Sequence, residues 1–137
     1  MPWSVVKKKL WAEKVRLAEA FLGEVNSNIK DLTEGKLLAD KVYDVATAAD
    51  QLELFSEELA AQIRRTYDKV NTINDALVKY QKFRSSSAGD HEYEKKSAEF
   101  QQFLAWYRGG LLTSLQNLAA KLKDEAVQKE EEDKYTP

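Results

Sequence analysis

The chain has no cysteine, which excludes a disulfide framework and every thiolate metal site. A single histidine excludes a His-pair metal site and leaves little room for a Ser-His-Asp triad. Five glycines and two prolines in 137 residues are too few for a loop-rich fold. Long apolar runs are also missing. The longest is Phe103 to Tyr107, far short of the ~20 residues of a membrane span. Nor is there an excess of one charge: 21 basic residues against 23 acidic ones leave a net charge of −2, which argues against binding nucleic acid by bulk electrostatics. What is present is 43% hydrophobic and 32% charged residues, enough for one domain to bury a core and stay soluble.

Helical period dominates the pattern. Trp11, Val15, Ala18, Leu22, Val25, Ile29 and Leu32 step by alternating fours and threes, a heptad seam. Leu10, Leu17 and Phe21 widen it into a stripe broad enough for more than one partner helix. Ser4 is a candidate cap, and Asp31, Thr33 and Gly35 mark the end, so a first helix is predicted over Ser4 to Leu32. From Leu38 to Tyr80 the four-three spacing is unbroken. Ser56, followed by Glu57 and Glu58, nevertheless reads as a cap with acids in a first turn. The segment is therefore read as a short helix over Lys36 to Ala49, a connector, and a long helix from Ser56 to Phe83. Arg84 to Gly89 reads as a loop, with Asp90 as the next cap. The last helix carries Phe100, Leu104, Tyr107, Leu111, Leu115, Leu118 and Leu122, and the face is kept across Gly109-Gly110, so one continuous helix is expected. Residues 123–137, with six acids and three lysines, read as a charged helical extension or tail of a single domain over 1–137. The fold class is all-α: an antiparallel helical bundle of three long helices plus one short helix, the last long helix projecting beyond its neighbours.

Leu22-x-Glu24-x3-Asn28-Ile29-x2-Leu32, then Tyr43-Asp44, then Leu54-Phe55-Ser56-x-Glu58-Leu59-x3-Ile63-x3-Tyr67-x5-Ile73-Asn74-x2-Leu77 resembles a loose group of uncharacterised prokaryotic helical proteins, many with an N-terminal membrane segment. The resemblance covers about residues 20–80 and carries no activity. It implies a helix break before Ser56 and work near a membrane, although this chain shows no such segment.

Four constellations are candidates for function. Asn28, Tyr67 and Asn74 border the seams, where polar groups fix register between helices; Asn28 is expected to contact Tyr67 or Asn74. Arg64, Arg65, Lys69, Lys79, Lys82 and Arg84 run along the third helix as candidate RNA contacts. The helical subunits of RNA-guided effector complexes have a similar size and a charged groove, but Asp68 and Asp75 interrupt this row, and no exposed aromatic run for base stacking is evident. Arg84 and His91 are similar in spacing to the Arg and His of the helical ribonuclease superfamily that pairs with nucleotidyltransferase-like partners. Arg would hold a phosphate and His would activate a 2′-hydroxyl. Trp3, Lys7, Lys8 and Lys9 suit either a membrane–water interface or the end of a bundle.

No Glu-x-x-His occurs, so no di-metal carboxylate site and no cofactor is expected. The expectation is a non-catalytic helical interaction or scaffolding module. It is cytoplasmic or at the membrane surface, partnered by a protein or by itself as a homodimer through the first or last helix. An RNA-binding accessory subunit is the alternative.

Overall fold

In the computed structural model, the structure describes residues 3–86, 89 and 91–133, with side chains described over 5–86, 89 and 91–126. These residues are all-helical, with no strand among them. Helix α1 is Trp3–Thr33, α2 is Lys41–Ala48, α3 is Glu57–Ser86 and α4 is Tyr93–Asp133, with a 3-10 turn at Gln51–Leu54 between α2 and α3.

Helix α1 ends because Gly35 takes φ +73°, a left-handed conformation that glycine adopts at little steric cost. Lys36 N donates to Asp31 O at 2.9 Å and Gly35 N to Leu32 O at 3.3 Å, the paired bonds of a Schellman stop. Beyond it, 36–40 run without helix to α2. The short helix thus begins at Lys41, not at Lys36 as the heptad spacing predicts. The four-three pattern of 38–55 is not a helix seam: Val45, one of its members, is 66% exposed, and Ala46 takes the buried position instead. The break before α3 falls where the sequence places it. Leu59 N donates to the Ser56 hydroxyl at 3.1 Å, capping a first turn that holds Glu57 and Glu58. Helix α3 outruns its predicted end by three residues. The Ser85 and Ser86 hydroxyls donate to carbonyls of Gln81 and Lys82, which keeps the last turn bonded. The cap predicted at Asp90 lies outside the described residues.

All four helices and the 3-10 turn pack around one core. Helix α4 lies along α1 and α3, while α2 and the turn close the far side, α2 against α1 and the turn against both α1 and α3. Val15, Ala18, Val25 and Leu32 come from α1; Leu59, Ile63, Thr66, Val70, Ile73 and Leu77 from α3; and Leu104, Leu111, Leu115, Leu118 and Leu122 from α4. Phe21 sits at the centre, edge-on to Phe55 at 6.2 Å and to Tyr67 at 5.9 Å between ring centroids. Phe21 and Leu118, on the surfaces from which a homodimer was expected, are both fully buried within the chain. Of that stripe only Leu10 stays open, 47% exposed, with Leu17 half-buried.

Among the described residues between Leu77 and Leu104 none is buried, so the end of α3 and the start of α4 extend past the core. They are held by aromatic contacts: Phe83 stacks on Tyr93 at 5.2 Å, and Phe100 lies 5.5 Å from both Tyr80 and Phe83. No helix among the described residues is long and apolar enough to cross a membrane.

Candidate functional site

A clamp on the segment after α1 organises the core's polar groups. Asn28, fully buried on α1, donates to Ala39 O at 2.8 Å and accepts from Ala39 N at 2.7 Å. Asn74, on α3, does the same with the neighbouring residue, accepting from Leu38 N at 2.8 Å and donating to Leu38 O at 3.0 Å. A primary amide is the only side chain that offers one donor and one acceptor in the geometry of a peptide group. Two such amides thus satisfy the backbone of two consecutive residues that belong to no helix. One turn before Asn28, Glu24 accepts from the Tyr67 hydroxyl at 2.7 Å and from Val42 N at 3.0 Å. Tyr43 stacks on Tyr67 at 4.6 Å with the ring planes 7° apart. Burial, and next the carboxylate of Glu24, push the Tyr67 phenol far above its usual range, which favours the protonated form that donates to Glu24.

Asn28, Tyr67 and Asn74 are therefore in one assembly, but no hydrogen bond among the described residues joins Asn28 directly to Tyr67 or Asn74. Asn28 and Asn74 meet through the Leu38–Ala39 backbone, and Tyr67 bonds Glu24. Glu24, 8% exposed, is the member that reading the heptads misses. Its spacing of four from Asn28 on the same face was the available signal. This clamp is closed: every carboxylate and amide oxygen in it is answered by backbone or by Tyr67, leaving no group aimed at a substrate.

The exposed surface behaves differently. Between Glu99 and Lys121, α4 carries one charged residue, Arg108, in a chain that is 32% charged. Arg108 is half-buried and lies towards the α1 stop, its Nη2 3.3 Å from where a Cβ on Gly35 would stand. The outer face of this stretch is thus uncharged, yet solvent-exposed. Phe103 is 40% and Trp106 75% exposed, their rings 6.4 Å apart with Tyr107 alongside. Two cavities flank them in the groove between α3 and α4. One, of about 480 Å³, is lined by Thr72, Asp75, Ala76, Lys79, Lys96, Glu99, Phe100 and Phe103. The other, of about 290 Å³, is lined by Lys69, Trp106, Tyr107, Gly110 and Leu111. Gly109 and Gly110 have nothing within 4 Å of an added Cβ, so no close approach among the described residues requires them. Each costs a helix about 1 kcal/mol relative to alanine. The sequence did contain this face, as a stretch of α4 almost without charge, but Phe103 and Trp106 lie beside the heptad seam, which does not single them out.

The basic residues of α3 are all exposed and do not form one uninterrupted surface. Lys69 is hydrogen-bonded to Ser114 at 2.8 Å, Lys79 borders the larger cavity with Asp75 and Glu99, and Arg84 lies 5.7 Å over the Tyr80 ring. Arg64, Arg65 and Lys82 are on the surface of the same helix. The cavity that Arg84 borders is completed by Gly35, Leu77, Tyr80, Gln81, Gln101, Leu104 and Arg108. His91 is in the exposed turn before α4 and is not part of it. Lys7, Lys8 and Lys9 are exposed on α1 beside Val5, 48% exposed, and Trp11 is half-buried; the side chain of Trp3 lies outside the described residues. Among the described residues no group of three acidic or histidine side chains could hold a metal ion. No protein-family model matches the chain, and no curated protein or solved structure proves similar to it.

Proposed function

We propose that this protein is a non-catalytic interaction module, an antiparallel bundle of three long helices and one short helix that presents the uncharged outer face of α4 to a protein partner. The antiparallel arrangement is supported by contacts that run in opposite senses along the helices: Lys14 with Glu125 and Gly35 beside Arg108 for α1 and α4, Lys69 with Ser114 and Tyr80 with Ser97 for α3 and α4. The observation that carries the functional reading is Trp106, 75% exposed on a helix surface from which charge is missing. Aromatic enrichment with depletion of charge is the compositional mark of the buried centre of a protein–protein interface. A surface with no other use would carry lysine and glutamate, as the rest of this chain does. The clamp supports the role by holding α1 and α3, on which α4 lies, in one register.

The test is a photo-crosslinking residue placed at Trp106 and, as a control, at Arg65, in the native cells. The expected result is a discrete adduct at 106, competed away by unlabelled wild-type chain and absent at 65. Equal, uncompeted labelling at both positions would refute the reading.

A further inference from the structure

The geometry points to a second copy of this chain as the occupant of the α4 face: we propose a twofold dimer in which Trp106 of each copy covers Gly110 of the other. The proposal rests on the interaction reading above and narrows it to one partner.

Three features of the face select a copy of itself. The first is shape. At 100° per residue, Phe103, Trp106, Gly110, Thr113 and Asn117 fall within an arc of about 80° on α4. The large side chains lie at one end of that row, and the flat, small ones at the other. Two such rows laid antiparallel about an axis near residue 108 bring 106 opposite 110 and 103 opposite 113, large against small at each pair. An isologous contact needs this self-complementarity, since each residue must suit a different residue of the same surface. The cavity of about 290 Å³ beside Gly110, bordered by Lys69, Tyr107 and Leu111, gives the incoming indole a place to enter.

The second feature is charge. A charged residue on a twofold axis meets its own copy, and away from the axis each charge must find an opposite one on the same surface. The α4 row itself holds no ionised side chain: Arg108, the one charge between Glu99 and Lys121, is half-buried towards α1, and Lys69 of α3, which borders the cavity, is held by Ser114. Two copies thus set no ionised side chain of α4 against its counterpart, whereas a nucleic acid would meet no cation on the outer face of α4 over this stretch.

The third is the glycine pair. Among the described residues nothing lies within 4 Å of a Cβ added at Gly109 or Gly110, as at Gly23 on α1, so no packing among them requires the missing side chains. A partner helix whose Trp106 must lie flat on α4 supplies a cause. Residues 101–120 span about 30 Å of helix, and α3 and α4 side by side are about 20 Å wide, which makes a patch of roughly 600 Å² with the uncharged α4 row at its centre and exposed α3 charges such as Lys69 and Asp75 at its rim. That is somewhat below the ~800 Å² per partner of a standard interface. The dimer is accordingly reversible, with a dissociation constant on the order of micromolar.

The experiment uses the full chain. Sedimentation of the wild type from low to high micromolar concentration should carry the mass from 15.7 kDa towards twice that value, with little dependence on salt. Trp106→Glu and Gly110→Leu should each weaken association at least tenfold with unchanged helical circular dichroism. Because the chain has no cysteine, register is read directly: a mixture of Trp106→Cys and Gly110→Cys chains should form the mixed disulfide in preference to either homodisulfide. A single-chain mass at several hundred micromolar would overturn the dimer, as would preferential homodisulfides. A competed crosslink at 106 to a different protein, with the pure chain monomeric, would overturn the dimer and keep the interaction reading. Salt-sensitive quenching of Trp106 by RNA with a monomeric mass would overturn both.

Discussion

At the scale of single residues, the buried polar groups decide whether the chain has one structure. Asn28 answers both backbone groups of Ala39, so Asn28→Ala removes two hydrogen bonds from a fully buried amide and should cost about 1–3 kcal/mol in urea unfolding. Asn28→Asp keeps the shape but sets an oxygen against Ala39 O. It should be no better than alanine at pH 7 and should recover as the pH falls and the new carboxyl, protonated, donates again. Tyr67→Phe should cost about 2 kcal/mol near neutrality, because a donor to a carboxylate is lost from the core. It should also change the alkaline limb. Burial first, then Glu24, hold the Tyr67 phenol well above its ordinary 10.0, and burial raises Tyr43 as well. Above pH 10 the unfolded chain releases those protons and the native chain keeps them. Stability is therefore intact below pH 10 and falls above it, by up to about 1.4 kcal/mol per pH unit for Tyr67 and by much less for the more exposed Tyr43. Unfolding midpoints at pH 8, 10 and 11 should converge for wild type and Tyr67→Phe; parallel losses would contradict the assignment. The three polar positions were legible because they border heptad seams. That their partner would be linker backbone was not, since nothing in a side-chain pattern marks an unpaired peptide group.

Between elements, the contrast lies among glycines. Gly35 sits at positive φ with Arg108 Nη2 3.3 Å from the position of a Cβ, so Gly35→Ala incurs both left-handed strain and a displaced side chain and should cost about 1–2 kcal/mol. Gly109→Ala is expected to stabilise the helix by about 1 kcal/mol, because space there is open and the backbone is helical. Thermal melts of the two variants should therefore move in opposite directions; a fall for Gly109→Ala would mean that α4 is not continuous there. Gly23 in α1 is as open as Gly109, and nothing in the structure explains it. The long helices were legible because their seams bury on schedule: on α3, Leu59, Ile63, Thr66, Val70, Ile73 and Leu77 are all inside. The start of the short helix was not. Leu38 and Val42 continue the same spacing, while the backbone of 38–39 is bonded by the amides reaching in from Asn28 and Asn74 instead of by a helix.

Across the whole molecule, burial is uneven in a way that assigns stability to regions. The core joins α1, α2, the 3-10 turn, α3 and α4 in one cluster, so between Ala18 and Leu77, and again between Leu104 and Leu122, no element can leave without exposing the others. Past Leu77 and Leu104, the described residues of α3 and α4 have only each other. Tyr80 meets Ser97 at 3.1 Å and Gln101 at 3.1 Å, and Phe83, Tyr93 and Phe100 form a half-buried ring cluster. Regions with few buried contacts open at lower free energy than the global transition. Amide exchange should therefore separate two classes. Helical amides of 59–77 and 104–122 should exchange only with global unfolding, and those of 79–86 and 94–101 through a cheaper opening with little denaturant dependence. Phe83→Ala should speed exchange in the second class by tenfold or more and leave the first class and the urea midpoint almost unchanged. If it lowered both together, the extended end would be part of the same cooperative unit. The distinction bears on function, because Phe103 and Trp106 stand at the junction of the two regions: Leu104, between them in sequence, is the first core residue of α4. A face anchored at Leu104 and Leu111 is rigid enough to offer preformed shape, and opening of the end beyond it leaves Trp106 in place. Association through α4 should therefore survive Phe83→Ala with less than a threefold change in dissociation constant, and a larger loss would place the docking surface on the extended end instead.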